Sequence, residues 1–131
     1  MVQRFEDLEI FKSARVICKK VFTFTLTQDF AKDTRFVQQI RSSSGSIMDN
    51  IAEGFERDGN KEFIQFLYIA KGSCGETRSQ IIRATDCGYI NKEQATELYN
   101  DIVHLTRSIA KMIKSVKDSE VKGLKYKNPE T

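Results

Sequence analysis

Several residues that mark common protein classes are scarce or absent in this chain. It has three cysteines, one proline, one histidine and no tryptophan among 131 residues. The cysteines, Cys18, Cys74 and Cys87, are odd in number and show no CxxC spacing, which argues against a disulfide framework and a zinc site. No apolar run approaches the roughly 18 residues of a membrane span, and the acidic, polar start does not fit a signal peptide. We therefore expect a cytoplasmic protein without a membrane partner.

The usual signatures of catalysis are also missing from the sequence. It contains no GxxxxGK[ST], HExxH or GxSxG motif, and His104 is the one histidine that a Ser/His, Cys/His or metal scheme could use. Asp101 and His104 have the i, i+3 spacing of di-iron bundles, but those sites need a second such pair and two further carboxylates. We therefore expect no catalytic residue, no metal, no cofactor and no small-molecule substrate.

What the sequence does contain is a repeated helical period. Apolar residues recur at three- and four-residue spacing in four stretches, which begin near Asp7, Asp33, Asn60 and Asn91. Four long helices with short links predict an all-α fold, an antiparallel up-down-up-down four-helix bundle, over residues 1–117. The apolar period fades after that point, so residues 118–131 are predicted to form a flexible C-terminal tail.

The ends of these helices carry recognisable signals. Asp7 and Asn60 are competent N-caps, and either Asp33 or Thr34 can cap the second helix. Asn91 with Gln94 has the spacing of a capping box. Gly88 is placed to stop the third helix. The stretch from Gln28 to Asp33 breaks the helical pattern and is predicted to be a link.

The second and third helices contain four glycines, each of which lowers helix stability by roughly 1 kcal/mol relative to alanine. The glycines are Gly45, Gly54, Gly72 and Gly75. Their presence inside helices predicts that the backbones of the two helices approach each other closely. Cys74, on the inner stripe of the third helix, is interpreted as a small core residue rather than a reactive thiol.

The third helix also carries a second apolar stripe, rotated by roughly 100° from the first. It consists of Ile64, Tyr68, Gly75 and Ile82. One interpretation is that the helix is buried on two sides within one chain. The other is that the stripe is a contact between subunits, in which an aromatic residue such as Tyr68 would act as an anchor.

The charge is modest, with 21 Lys plus Arg against 18 Asp plus Glu and a net charge of +3. The fourth helix has acidic residues near its N-terminus and basic residues near its C-terminus, a distribution that the helix dipole explains. The first helix carries Lys12, Arg15 and Lys19 on one face without that explanation. This stripe is either an ordinary solvated face or a set of phosphate contacts.

Five short motifs resemble one protein family. They are Phe5-Glu6-Asp7-Leu8-Glu9, Gln39-Ile40-Arg41, Asn50-Ile51-Ala52-Glu53-Gly54, Lys61-Glu62-Phe63 and Ala70-x-Gly72-Ser73. Together they are similar to the four helix bundle proteins, also called 23S ribosomal RNA intervening-sequence proteins, which are related to the accessory variability protein of diversity-generating retroelements. The similarity extends over nearly the whole chain up to the tail.

The resemblance implies a four-helix bundle that assembles as a ring-like homopentamer and has no catalytic residues. It also implies nucleic-acid binding, since relatives are associated with RNA or DNA. We therefore expect a non-enzymatic homo-oligomer that binds RNA or another nucleic acid through basic outer faces. The alternative is a homo-oligomeric protein-interaction scaffold without a nucleic-acid partner.

Overall fold

The computed structural model describes residues 2–119 and residue 129, and the regular structure in these residues is helical throughout. A 3₁₀ turn, Phe5–Asp7, precedes five α-helices. These are α1 (Glu9–Thr25), α2 (Gln28–Lys32), α3 (Thr34–Glu56), α4 (Asn60–Asp86) and α5 (Lys92–Asp118). The predicted tail at 118–131 lies outside the described residues, apart from Asp118, Ser119 and Pro129. Within the described part of the chain, no helix has the length and apolarity needed to cross a membrane.

The four long helices form a bundle in which α1 packs against α3 and α5, and α4 packs against the same two helices. Each long helix directs its apolar stripe inward, and burial of those stripes is the main stabilising contribution. The most buried positions include Ala14, Ile17, Ile47, Ile51, Leu67, Ile81, Leu98 and Ile109. The predicted all-α, antiparallel four-helix bundle is confirmed.

Two of the predicted N-caps are confirmed. The Gln94 backbone N–H donates to Asn91 Oδ1 at 2.8 Å, and the Asn91 N–H donates to Gln94 Oε1 at 3.0 Å, which completes the capping box. Asp33 caps α3 by accepting from the Phe36 N–H at 3.3 Å. Its second carboxylate oxygen accepts from the Tyr89 hydroxyl at 2.8 Å, so this cap also ties α3 to the link before α5.

The predicted stop at Gly88 is confirmed as well. Gly88 has a φ of 76°, a left-handed conformation that favours glycine. The Gly88 N–H donates to the Thr85 carbonyl at 3.0 Å, and the Tyr89 N–H donates to the Ala84 carbonyl at 2.9 Å. These two bonds form a Schellman motif, which satisfies carbonyl groups in the last turn of α4.

Two other predicted caps are wrong. The N-cap of α1 is Leu8 rather than Asp7, because a 3₁₀ turn over Phe5–Asp7 delivers the fully buried Leu8 side chain to the core. The N-cap of α4 is Gly59, with φ 95°, and Asn60 is already helical. The Asn60 side-chain amide donates instead to the carbonyls of Val116 at 3.4 Å and Ser119 at 2.9 Å, at the C-terminal end of α5. Asn60 therefore provides hydrogen bonds to carbonyl groups at the end of α5 rather than to N–H groups at the start of its own helix.

The predicted link from Gln28 to Asp33 contains the short helix α2. The reason is Phe30, which is buried and stacks on Tyr89 with ring centroids 4.9 Å apart. The Phe36 ring lies 5.3 Å away on another side. A single turn of helix thus places one aromatic side chain in the core between the long helices.

Among the helical glycines in the described residues, Gly54 alone marks a close approach of two helices. A Cβ at Gly54 would lie 2.6 Å from Phe66 Cβ and 3.0 Å from Phe63 Cδ1, so α3 meets α4 at this point. A Cβ at Gly45, Gly72 or Gly75 would have no heavy atom within 4 Å. The prediction of close backbone contact is therefore wrong at these three positions.

Serines of α3 form hydrogen bonds with polar side chains of α4, and we call this row of contacts the polar seam. Ser43 Oγ donates to Gln80 Oε1, and Thr77 Oγ1 donates to Ser43 Oγ at 3.0 Å. One turn further along, Ser73 Oγ donates to Ser46 Oγ at 3.0 Å. Throughout the described residues, every buried side-chain nitrogen or oxygen has a hydrogen-bond partner. The seam therefore joins the two helices without leaving a buried polar group unpaired.

Candidate nucleic-acid and subunit-contact surfaces

The three predicted phosphate contacts, Lys12, Arg15 and Lys19, are all exposed on the outer side of α1. Lys12 is the least available of them, because its Nζ lies 3.6 Å from Glu9 Oε1. Glu9 thus offsets part of the Lys12 charge near the start of the helix. Arg15 and Lys19 lie further along α1, at the edge of its exposed side that is next to α3.

Arg15 and Lys19 line an open groove between α1 and α3 with a volume of about 440 Å³. We call it the α1–α3 groove. Its lining consists of Arg15, Cys18, Lys19, Phe22, Thr23, Arg41, Ser44 and Met48. The groove therefore brings together two predicted cations from α1 and a third, Arg41, from α3.

Arg41 was not predicted as a site residue, since its position beside α1 depends on how the two helices pack. Its Nε donates to Thr25 Oγ1 at 3.0 Å, near the C-terminal end of α1. Its guanidinium carbon lies 4.5 Å from the centroid of the Phe22 ring, a cation–π contact. The available sequence signal was the Gln39-Ile40-Arg41 motif, which places Arg41 beside the inner stripe of its helix.

The groove contains no activated nucleophile among its described lining residues. Burial raises the pKa of the Cys18 thiol above its ordinary value, and the neighbouring Asp49 carboxylate raises it further, although a hydrogen bond with Ser44 opposes both effects. The Ser44 hydroxyl donates to the Ile40 carbonyl at 2.9 Å. The groove therefore presents fixed cations and apolar surface, an arrangement suited to binding an anion.

Cys74 lies in the core, as interpreted from its sequence position. It is fully buried, and burial raises the pKa of its thiol to about 11, so the thiol is protonated at neutral pH. Cys87 is exposed at the C-terminal end of α4.

The acidic half of the outer face of α5 is joined to α1. Lys20 Nζ lies 2.6 Å from Asp101 Oδ2 and 3.4 Å from Glu97 Oε2, and the Asp101 hydrogen bond raises the pKa of Lys20. Asp101 is thus paired with a lysine, and His104, one turn on, is exposed. The described residues contain no group of three or more histidine, cysteine or acidic side chains placed to hold a metal ion.

The second stripe of α4 divides into a buried and an exposed part. Ile64 is partly buried and packs against the hydrophobic core of its own chain. Tyr68 is 48% exposed and Ile82 is 52% exposed. Gly75 is partly exposed, with open space where a Cβ would project. Burial within one chain therefore accounts for Ile64 but leaves Tyr68 and Ile82 half uncovered.

Tyr68 and Ile82 lie on the side of α4 that is next to α5, and we call this surface the α4–α5 face. The Lys117 ammonium donates to the Tyr68 hydroxyl at 3.0 Å and lies 5.3 Å from the ring centroid. This hydrogen bond, with the charge of Lys117, lowers the pKa of Tyr68. Ile82 borders a cavity of about 240 Å³ that Ala95 and Tyr99 of α5 also line.

Sequence reasoning missed four other large apolar side chains that are 49–59% exposed. They are Val16, Phe22, Leu26 and Ile69. The first three lie on or next to α1, outside the set of residues that this helix buries. Ile69 lies next to Tyr68 in the chain but projects from a different side of α4.

Comparison with known proteins gives one family and one fold. The family model described as 23S rRNA-intervening sequence protein matches residues 6–115. The chain is also similar in structure to a protein of unknown function from the S23 ribosomal protein family of Bacteroides thetaiotaomicron. The TM-score is 0.73 at 23% identity, over 80% of this chain and 98% of that one. No curated protein matches the chain. At this identity the structural similarity shows the fold alone.

Proposed function

Because the chain belongs to the 23S rRNA-intervening sequence protein family, we propose that it is a non-enzymatic, homo-oligomeric bundle that binds RNA or DNA. Each subunit uses the α1–α3 groove, and the assembly is the homopentamer that the family resemblance implies. The protein acts in the cytoplasm and needs no cofactor.

The observation that carries this proposal is the convergence of three cations on one groove. Arg15 and Lys19 come from α1, and Arg41 comes from α3. Lysine and arginine side chains bind backbone phosphates and release counterions from the nucleic acid, which favours association. A net charge of +3 supplies little long-range attraction. Several copies of one groove on one oligomer compensate, since simultaneous contacts raise overall affinity by about 10² to 10⁴.

Charge reversal at the groove should weaken nucleic-acid binding. Arg15→Glu with Lys19→Glu removes two phosphate contacts, so the slope of log affinity against log salt should fall by about 1.4 for a single-stranded ligand. Lys12 is left unchanged because Glu9 already offsets its charge. Fluorescence anisotropy with a labelled RNA across a salt series measures both the affinity and the slope.

The matched control is Arg107→Glu with Lys111→Glu, which makes the same change of charge on the exposed face of α5. An equal loss of affinity in both double variants would mean that net charge, and not the groove, controls binding. If the wild-type protein binds neither RNA nor DNA at about 50 mM salt, where electrostatic contacts are strong, the nucleic-acid function is excluded.

The oligomer should depend on the α4–α5 face, where half of the Ile82 side chain has no covering residue in its own chain. Ile82→Glu should shift the assembly toward monomer, because a charge buried in a subunit contact is strongly unfavourable. Ile69→Glu is the matched control, a similarly exposed isoleucine (50%) of the same helix on a different side. Light scattering gives the mass of each folded variant. An unchanged oligomer in Ile82→Glu would rule out this face as the contact.

The second candidate function is a protein-interaction scaffold. It is favoured by the exposed Leu26 and Ile69, large apolar side chains that lie outside the α4–α5 face. An oligomer that forms normally but binds no nucleic acid would fit this function.

A further inference from the structure

The α1–α3 groove combines its three cations with an apolar floor. Phe22 is 51% exposed at its edge, and the partly buried side chains of Cys18 and Met48 lie below. The groove volume of about 440 Å³ falls in the size range, about 300–1,000 Å³, of sites that hold small organic groups. A surface that bound only phosphate would need the cations but not this apolar floor.

The hydroxyl groups of the groove are already engaged within the protein. Thr23 Oγ1 donates to the Lys19 carbonyl at 3.0 Å, and Ser44 Oγ donates to the Ile40 carbonyl at 2.9 Å. What remains for a ligand is apolar surface together with the charges of the three cations. Asp49 is an acidic side chain close enough to the groove for its charge to raise the pKa of Cys18. The three cations of the groove outnumber it. The complementary ligand is therefore a flat, weakly polar group attached to an anion.

Arg41 lies over the Phe22 ring, and we call this stacked pair, whose outer faces can take a base, the platform. The guanidinium carbon lies 4.5 Å from the ring centroid, and the bond to Thr25 Oγ1 fixes the guanidinium in that position. Aromatic rings and arginine planes are the surfaces on which proteins stack unpaired bases. The platform is preorganised, so a base that stacks there does not have to order it first.

We propose that the α1–α3 groove takes an unpaired base of a single-stranded RNA, stacked on the platform of Phe22 and Arg41. Arg15 and Lys19 hold the phosphates on either side of that base. This proposal rests on the proposed function and specifies its ligand, a single strand rather than a duplex. In a duplex the faces of the bases are stacked on one another, so a duplex reaches the cations but not the platform.

The test compares a single-stranded RNA of about ten nucleotides, within the usual site size of such proteins, with a duplex of the same sequence. Phe22→Ala should weaken binding of the single strand by about 5-fold to 150-fold, the usual effect of removing one stacking contact. Binding of the duplex should change by less than about 2-fold, because its phosphate contacts remain. Phe22→Tyr keeps the ring and should restore the affinity for the single strand.

Val16→Ala is the control, since it removes apolar surface of similar exposure from the same helix outside the groove. It should leave both affinities unchanged. Arg41→Lys keeps the charge but removes the guanidinium plane, and it should reproduce the selective loss for the single strand. It also serves as the test variant if Phe22→Ala does not fold.

The outcomes separate this proposal from the one on which it rests. Equal losses for single strand and duplex, or no loss for either, overturn the base site and leave the nucleic-acid function standing. A change of oligomeric mass in Phe22→Ala overturns it as well, because Phe22 would then belong to a contact between subunits. Failure of the wild-type protein to bind either RNA overturns the base site, and failure to bind DNA as well excludes the proposed function.

Discussion

Replacing Gly54 with alanine is expected to lower the free energy of unfolding by about 1–3 kcal/mol, the usual effect of overpacking a filled core. The added Cβ would lie 2.6 Å from Phe66 Cβ, an atom bonded directly to the backbone of α4. Relief therefore requires α3 and α4 to move apart, which also disturbs the Phe63 ring beside the same position. Urea titration followed by circular dichroism measures the change.

The matched substitution is Gly72→Ala, which should raise the free energy of unfolding by about 0.5–1 kcal/mol through better helix propensity. Gly72 is exposed, and a Cβ there would meet no heavy atom within 4 Å. The two glycines thus respond with opposite sign to the same chemical change. A Gly54→Ala protein as stable as wild type would show that α3 and α4 can separate without loss of packing.

The helices could be predicted from the sequence because their signals are local. The apolar stripe of α5, the capping box of Asn91 and Gln94 and the stop at Gly88 all depend on residues within a few positions of one another. Their geometry follows from the helical repeat and from the hydrogen-bonding needs of helix ends. These predictions are confirmed because no distant part of the chain competes with them.

The failed predictions concern residues whose partners are distant in sequence. Asn60 has the chemistry of an N-cap, but its amide bonds to α5, 56 and 59 residues later in the chain. Gly54 and Gly72 are both glycines inside a predicted helix, yet only Gly54 lies against another helix. The spacing of apolar residues and the helix propensity indicate which face of a helix is buried. They do not indicate which neighbouring helix that face meets or how closely the two helices pack.

The candidate surfaces also contain some residues that local signals identify and others whose role depends on distant parts of the chain. Arg15 and Lys19 could be identified because they share one face of one helix. Arg41 completes the groove from α3, and its approach to Phe22 requires α1 and α3 to pack in the observed register. The second stripe of α4 could be identified from its helical spacing; it consists of Ile64, Tyr68, Gly75 and Ile82. Its division into buried and exposed parts depends on the tertiary packing around α4.

Replacing Ser43 with alanine is expected to lower the free energy of unfolding by about 1–3 kcal/mol, the effect of leaving a buried polar group without its partner. Ser43 Oγ donates to Gln80 Oε1, and both side chains are buried in the polar seam between α3 and α4. Without the hydroxyl, Gln80 Oε1 loses this donor in a side chain that is only 7% exposed. Thr77 is less affected, since its one hydroxyl hydrogen can be donated to the Ser73 carbonyl, which lies 2.8 Å away.

The same substitution should have a much smaller effect when Gln80 is already methionine. Gln80→Met removes the buried acceptor while keeping a side chain of similar length, so Ser43→Ala then leaves no Gln80 oxygen unpaired. The double-mutant cycle should give a coupling energy of about 1 kcal/mol or more between the two positions, measured by urea titration of the four proteins. Additive effects would mean that the Ser43–Gln80 hydrogen bond contributes nothing to stability.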